Sequence, residues 1–173
     1  MRAEWVAPKE IEFILRALTP ENALACKVSL ITGLRINDVL SISTAKWKKQ
    51  RFTVREQKTG KAKRVRLPNN IYNAGLEIAG QHYVFENRLN GRNHRTRQAV
   101  YKDIKRASTL LRIRENVTPH SMRKIYAVDY YEKSGSIKAV KELLNHSTES
   151  VTMLYALADV LTRRRHNTKS RKI

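Results

Sequence analysis

The sequence predicts a single α+β domain, mainly α-helical, with one small antiparallel β-sheet packed beside the helices. Three observations carry this. Most of the chain places its apolar residues at helical spacing. One stretch, about residues 51–67, alternates apolar and polar residues on either side of a turn. No internal repeat, low-complexity tract or linker divides the 173 residues, a length that suits one domain with a proper core.

The elements follow in order. Pro8 suits the first turn of a helix, and Ile11, Ile14, Leu15 and Leu18 recur on one face. Thr19-Pro20-Glu21 starts a second helix, with Thr19 as cap. It runs through Leu24, Val28 and Ile31 and stops at Thr32-Gly33. Asn37 is placed to cap a short helix carrying Val39 and Leu40. Phe52 and Val54, then Val65 and Leu67, form the two arms of a hairpin. Its turn is near Thr59-Gly60, and Pro68 ends it. Residues 70–79 are helical in pattern, and residues 86–97, rich in Asn, Arg and Gly, read as a loop. Thr96 caps a long helix with Val100, Ile104, Ala107 and Leu111 on one face. Pro119 opens a helix with Met122, Ile125 and Val128 inward. Ile137, Val140, Leu143 and Leu144 make another, ended by Asn145. Val151, Leu154 and Tyr155 suggest one more, and a basic tail runs from Arg163 to Ile173.

Charge is the compositional outlier. With 35 basic and 15 acidic residues the net charge is +20, far more than solubility requires. A field of that sign attracts polyanions, so nucleic acid is the leading partner, and binding should weaken steeply with salt. An anionic membrane surface would call for a basic amphipathic helix with a bulky apolar face, or a lipid anchor. Neither is found, no apolar run is long enough to span a bilayer, and the first residues lack a signal-peptide core. Cys26 is the one cysteine, which excludes an internal disulfide and a cysteine-built zinc site. It reads as a buried small side chain, and a cytoplasmic protein is expected.

Three segments raise the expectation of an enzyme. They are Thr32-Gly33-Leu34-Arg35-Ile36-Asn37-Asp38, Pro119-His120-Ser121-Met122-Arg123-Lys124, and Leu143-Leu144-Asn145-His146-Ser147 with Tyr155 nine positions after His146. Between the first two stands Gln57-Lys58-Thr59-Gly60-Lys61, on the expected hairpin. Each motif alone is weak; their order and spacing in one basic chain are jointly specific. His120 and Arg123 are three apart and share a helix face. Arg35 follows a glycine turn at a helix start, where backbone N–H groups favour an anion.

Together these segments resemble the signature of the tyrosine recombinase, or phage integrase, family, over about residues 8–160. The resemblance implies a catalytic set of Arg35, Lys58, His120, Arg123, His146 and Tyr155. Arg35 and Arg123 would hold the non-bridging oxygens of a phosphodiester through fixed pairs of N–H donors. His146 would add a hydrogen bond to the same phosphate, and His120 would manage the nucleophile's proton. Lys58 would protonate the departing 5′ oxygen, and Tyr155 would attack phosphorus to give a 3′-phosphotyrosyl bond. Neither metal nor ATP nor another cofactor is implied. Asp38 falls where the family has an acidic residue that orients the first arginine. Double-stranded DNA is the implied partner, with self-association on it as a synaptic tetramer, room for accessory DNA-binding proteins, and no membrane. Integration, excision or inversion of DNA is the implied role.

Plainer readings stand beside these. Tyr155 is four residues from Val151 and fits a core aromatic; Lys58, with Lys61 and Lys63, fits a basic hairpin that only contacts phosphates. The loop cations Arg88, Arg92, Arg95 and Arg97 fit DNA backbone binding better than base reading. Asn145 replaces the family's glycine before His146, a mild change since Asn tolerates a left-handed helix end. Residues 1–162 are expected to form the catalytic domain and 163–173 a basic tail, with no N-terminal core-binding domain of the kind typical members carry. The chain is then a fragment, or one of the short members that lack that clamp. Two alternatives remain open: a type IB topoisomerase, and a DNA-binding module of the same fold without activity.

Overall fold

The structure, a computed structural model, describes residues 4 and 6–144. In chain order the elements are α1 (Pro8–Ala17), α2 (Pro20–Thr32), α3 (Ile36–Leu40), α4 (Thr44–Trp47), β1 (Arg51–Arg55), β2 (Ala62–Arg66), α5 (Asn69–Ile78), α6 (Arg97–Leu110), α7 (Pro119–Ser134) and α8 (Ile137–Leu143). The helices gather around α2, which packs against α1, α3, α5 and α7. Most of its apolar and several of its polar side chains are consequently buried, among them Leu24, Cys26, Val28 and Ser29, while Ile31 is 41% exposed. Burial pushes the Cys26 thiol up to about 12, with the nearby Asp103 carboxylate acting in the same direction. It is an inert core residue, as its apolar setting in the sequence predicted.

The hairpin forms where the alternation placed it. β1 and β2 pair antiparallel, with Phe52 opposite Val65 and Val54 opposite Lys63. Phe52, Val54 and Val65 face the core, and Gly60 takes the left-handed conformation, φ +68°, at the turn. The helix ends also follow the sequence. Gly33 closes α2 at φ +67°, Thr96 accepts from the Ala99 N–H at 3.1 Å, and Thr118 with Ser121 forms a capping box at α7.

Four details differ. Thr19 holds the cap position of α2, but its side chain does not cap. The Thr19 N–H and hydroxyl both donate to Asp103 Oδ2 of α6, at 2.9 and 3.0 Å, so a carboxylate from another helix does the capping. Asn37 lies inside α3, whose cap is Arg35, and its side-chain amide instead donates to Gln57 Oε1 at 2.6 Å. Ile137 begins α8 and is 49% exposed, while Val140 and Leu144 make the inward contacts. The fourth is α4, too short to show a period in the sequence. It seats Trp47 wholly inside, with its indole N–H on the Tyr72 carbonyl at 3.0 Å and its ring against Gly75. Among the described residues no helix is long and apolar enough to cross a membrane.

Candidate active site

The site is assembled where the C-terminal end of α2, the hairpin and α7 meet. The Thr32-Gly33-Leu34 turn brings the chain out of α2 and into α3, with Arg35 at the junction. A left-handed glycine is required there twice over: its φ is positive, and a Cβ would stand 2.3 Å from the Tyr126 ring of α7. Arg123, also on α7, is 1% exposed. It donates to the Gly33 carbonyl at 2.6 Å and to the Leu144 carbonyl at 3.1 Å. One guanidinium therefore ties the arginine turn to the end of α8, immediately before Asn145-His146 in the sequence.

The two arginines converge on Glu56, a residue sequence reasoning missed. Glu56 follows β1 and continues its inward face after Phe52 and Val54, and it is fully buried. Its Oε2 accepts from Arg35 Nη1 at 2.7 Å and from the Thr59 hydroxyl at 2.9 Å. Arg123 Nη1 stands 3.7 Å from its Oε1. The available signal was the alternation itself, which continued by one step puts residue 56 on the buried face. A carboxylate is tolerated there only with cations around it.

Asp38 is buried too, 1% exposed, and the Arg35 charge acts on its carboxylate. Its Oδ1 accepts from the Gln57 N–H at 2.9 Å, which pins the hairpin turn to α3. Burial raises its pKa above the ordinary carboxylate value, with Glu56 acting in the same direction, while the Gln57 bond and the two arginines oppose them. Asp38 thus positions the turn, and Glu56 positions the arginine. Lys58, the next residue after Gln57, is exposed on that turn. His120 is half-buried in the first turn of α7, one turn before Arg123, its N–H on the Thr118 hydroxyl at 3.2 Å.

The structure therefore brings Arg35 and Arg123 together, puts His120 on the same helix as Arg123, and sets Lys58 on the turn that Asp38 fixes. His146 and Tyr155 lie outside the described residues. Among the loop cations, Arg88 and Arg95 both pair with Glu21, at 3.0 and 3.3 Å. Glu21 is in the first turn of α2, the end remote from Gly33. These two arginines brace the loop against α2. Among the described residues no group of three or more His, Cys, Asp or Glu is placed to hold a metal ion.

Comparison with known proteins agrees with this geometry. The description of the Phage integrase family matches residues 4–160. A "Tyrosine recombinase" of Thermosipho africanus is 28% identical over 162 residues, 88% of this chain and 56% of that protein. The chain thus spans little more than half the length of this curated relative. Among solved structures, a lambda integrase (75-356) dimer bound to a COC' core site superposes with a TM-score of 0.71. It shares 19% identity, over 91% of this chain and 60% of that one. The catalytic domain of bacteriophage HP1 integrase gives 0.64 at 20% identity, over 90% of this chain and 88% of that one. Fold, motif order and family match coincide: the chain belongs to the phage integrase family.

Proposed function

We propose that this chain cleaves and rejoins double-stranded DNA at a specific site, as the catalytic domain of a tyrosine recombinase. The observation that supports it most is the convergence of Arg35 and Arg123 on one buried anion, Glu56. Two guanidiniums from distant segments, already gathered around a carboxylate, are suited to grip a phosphodiester whose transition state gathers charge on its non-bridging oxygens. Cationic charge also lowers the cost of forming phenolate, whose parent phenol has a pKa of about 10.

In this mechanism Tyr155 Oη attacks phosphorus as the bond to the 5′ oxygen breaks. Lys58 delivers a proton to that oxygen, which leaves as a hydroxyl. The phenol proton passes to His120, and His146 donates to the phosphate. The 3′-phosphotyrosyl bond conserves the phosphodiester's energy, so the reverse attack by a 5′ hydroxyl reseals a strand without ATP. The arginines supply the positive charge that a metal would otherwise bring. The lambda structure above holds an integrase dimer on DNA. Self-association on DNA follows for this chain if it exchanges strands, and integration, excision or inversion are the outcomes such an exchange produces.

The test begins with selection of bound duplexes from a random-sequence pool. The duplexes recovered are then nicked next to each phosphate in turn, so that a cleaved strand end diffuses away. A denaturant-resistant protein–DNA adduct at one phosphate is the expected result. Relaxation of plasmids lacking any selected site would point to a topoisomerase instead. Binding without any adduct would leave a DNA-binding module.

A further inference from the structure

Lys63 has no place in the chemistry above, yet its position is the least expected in the molecule. It sits on β2 opposite Val54, in the inward register shared with Val65. Its ammonium lies 5.1 Å from the centre of the Tyr126 ring, one helical turn from Arg123 on α7. That nitrogen is out of contact with solvent and has no hydrogen-bond partner among the described residues. An ammonium carries three N–H donors, and burying it with none satisfied is costly. The aromatic face recovers only part of that. The charges around it are Glu56 from the hairpin and Arg123 from α7, with Arg35 joined to the same Glu56. Glu56 is already engaged by Arg35 and Thr59. Counted over these five described residues, Arg35, Arg123 and Lys63 against Glu56 and Asp38 leave one positive charge in excess, the complement of one phosphodiester.

We propose that Lys63 is a third cationic phosphate-binding residue, whose ammonium takes a non-bridging oxygen of the scissile DNA phosphate as the acceptor it lacks in the free protein. This rests on the recombinase reading. It separates Lys63 from Lys58, the exposed lysine of the same hairpin, to which the mechanism above gives the leaving group. Burial and the Arg123 charge lower the Lys63 pKa to about 8 against the pull of Glu56, as expected for an ammonium awaiting an anion. An unsatisfied buried group that lowers the stability of the free protein fits a functional site better than a structural one.

The test uses the full chain on a nicked duplex that the wild type cuts, with single-turnover adduct formation and melting temperature measured together. Lys63→Met keeps the volume and removes the charge. It should slow adduct formation about 100-fold while the melting temperature rises. Lys63→Arg restores the charge and should recover at least about tenfold of that loss. Adduct formation by Lys63→Met within about threefold of wild type would overturn the proposal. So would a loss matched by a fall in melting temperature, which marks a structural lysine, or a Lys63→Arg defect as deep as that of Lys63→Met. If the wild type itself forms no adduct on any selected duplex, the recombinase reading fails first and Lys63 falls with it.

Discussion

Arg123 donates to the carbonyl of Gly33, a residue ninety positions earlier in the chain, at 2.6 Å. This bond joins the two arginine motifs before any DNA is present. The turn that carries Arg35 is fixed at its carbonyl by Arg123, and Arg35 itself is fixed by Glu56. Under the proposed mechanism, this pre-positioning would save the reorganisation that a mobile arginine pair requires at the moment of reaction.

Arg123 is consequently a stability residue, whatever it does for DNA under the proposed mechanism. Removing it strands two carbonyls, on Gly33 and Leu144, and takes a cation from beside the buried Glu56. Arg123→Ala should destabilise the fold by about 3–5 kcal/mol, since two carbonyls lose a donor and the buried Glu56 keeps Arg35 but loses its second cation. Urea unfolding of the variant checks this. Arg123→Lys should recover only part, since a single ammonium cannot reproduce a planar guanidinium's paired contacts.

Asp103 ties α6 to the start of α2. Its Oδ2 accepts from the Thr19 N–H, the Thr19 hydroxyl and the Asn22 amide, and Arg106 pairs with its Oδ1 at 2.7 Å. Burial pushes its pKa up, but the bonds from Asn22, Thr19 and Arg106 together outweigh that and hold the carboxyl below its ordinary value. Asp103→Ala should lose about 2–4 kcal/mol, from an uncapped helix and stranded donors. Thermal unfolding reads the loss.

Much of this was legible in the sequence, for a physical reason. Period and turn chemistry are local, so Phe52, Val54, Val65 and Leu67 give the hairpin, and Thr96, Thr118 and Gly33 give helix ends. The arginine motifs were legible through the family's spacing. What was hidden is whatever the third dimension creates. Thr19 looks like a cap because nothing local reveals that Asp103, 84 residues on, takes its N–H. Glu56 looks like one acid among basic neighbours until packing buries it between two guanidiniums. Lys63 looks like a surface cation on a basic hairpin, and only the approach of Tyr126 shows otherwise.

Lys63 also makes a prediction about pH. Its folded pKa, about 8, lies below the ordinary lysine value of 10.5. Between these values the unfolded chain holds a proton that the native protein has released. Stability from this group therefore rises with pH across that window and is flat below it. The wild type should be less stable than Lys63→Met by something on the order of 3 kcal/mol below pH 8. The gap should shrink toward pH 10.5. Chemical denaturation of both proteins across that range gives the difference directly, and a gap independent of pH would count against the lowered pKa.

In the proposed mechanism a phosphodiester held by Arg35 and Arg123 is attacked by Tyr155. Peptide mapping of the covalent adduct, formed on a nicked selected duplex, tests it most directly. The nucleotide should be attached to Tyr155, and Tyr155→Phe should abolish the adduct while DNA affinity stays within about threefold. An adduct on another tyrosine, or one that survives in Tyr155→Phe, would contradict it.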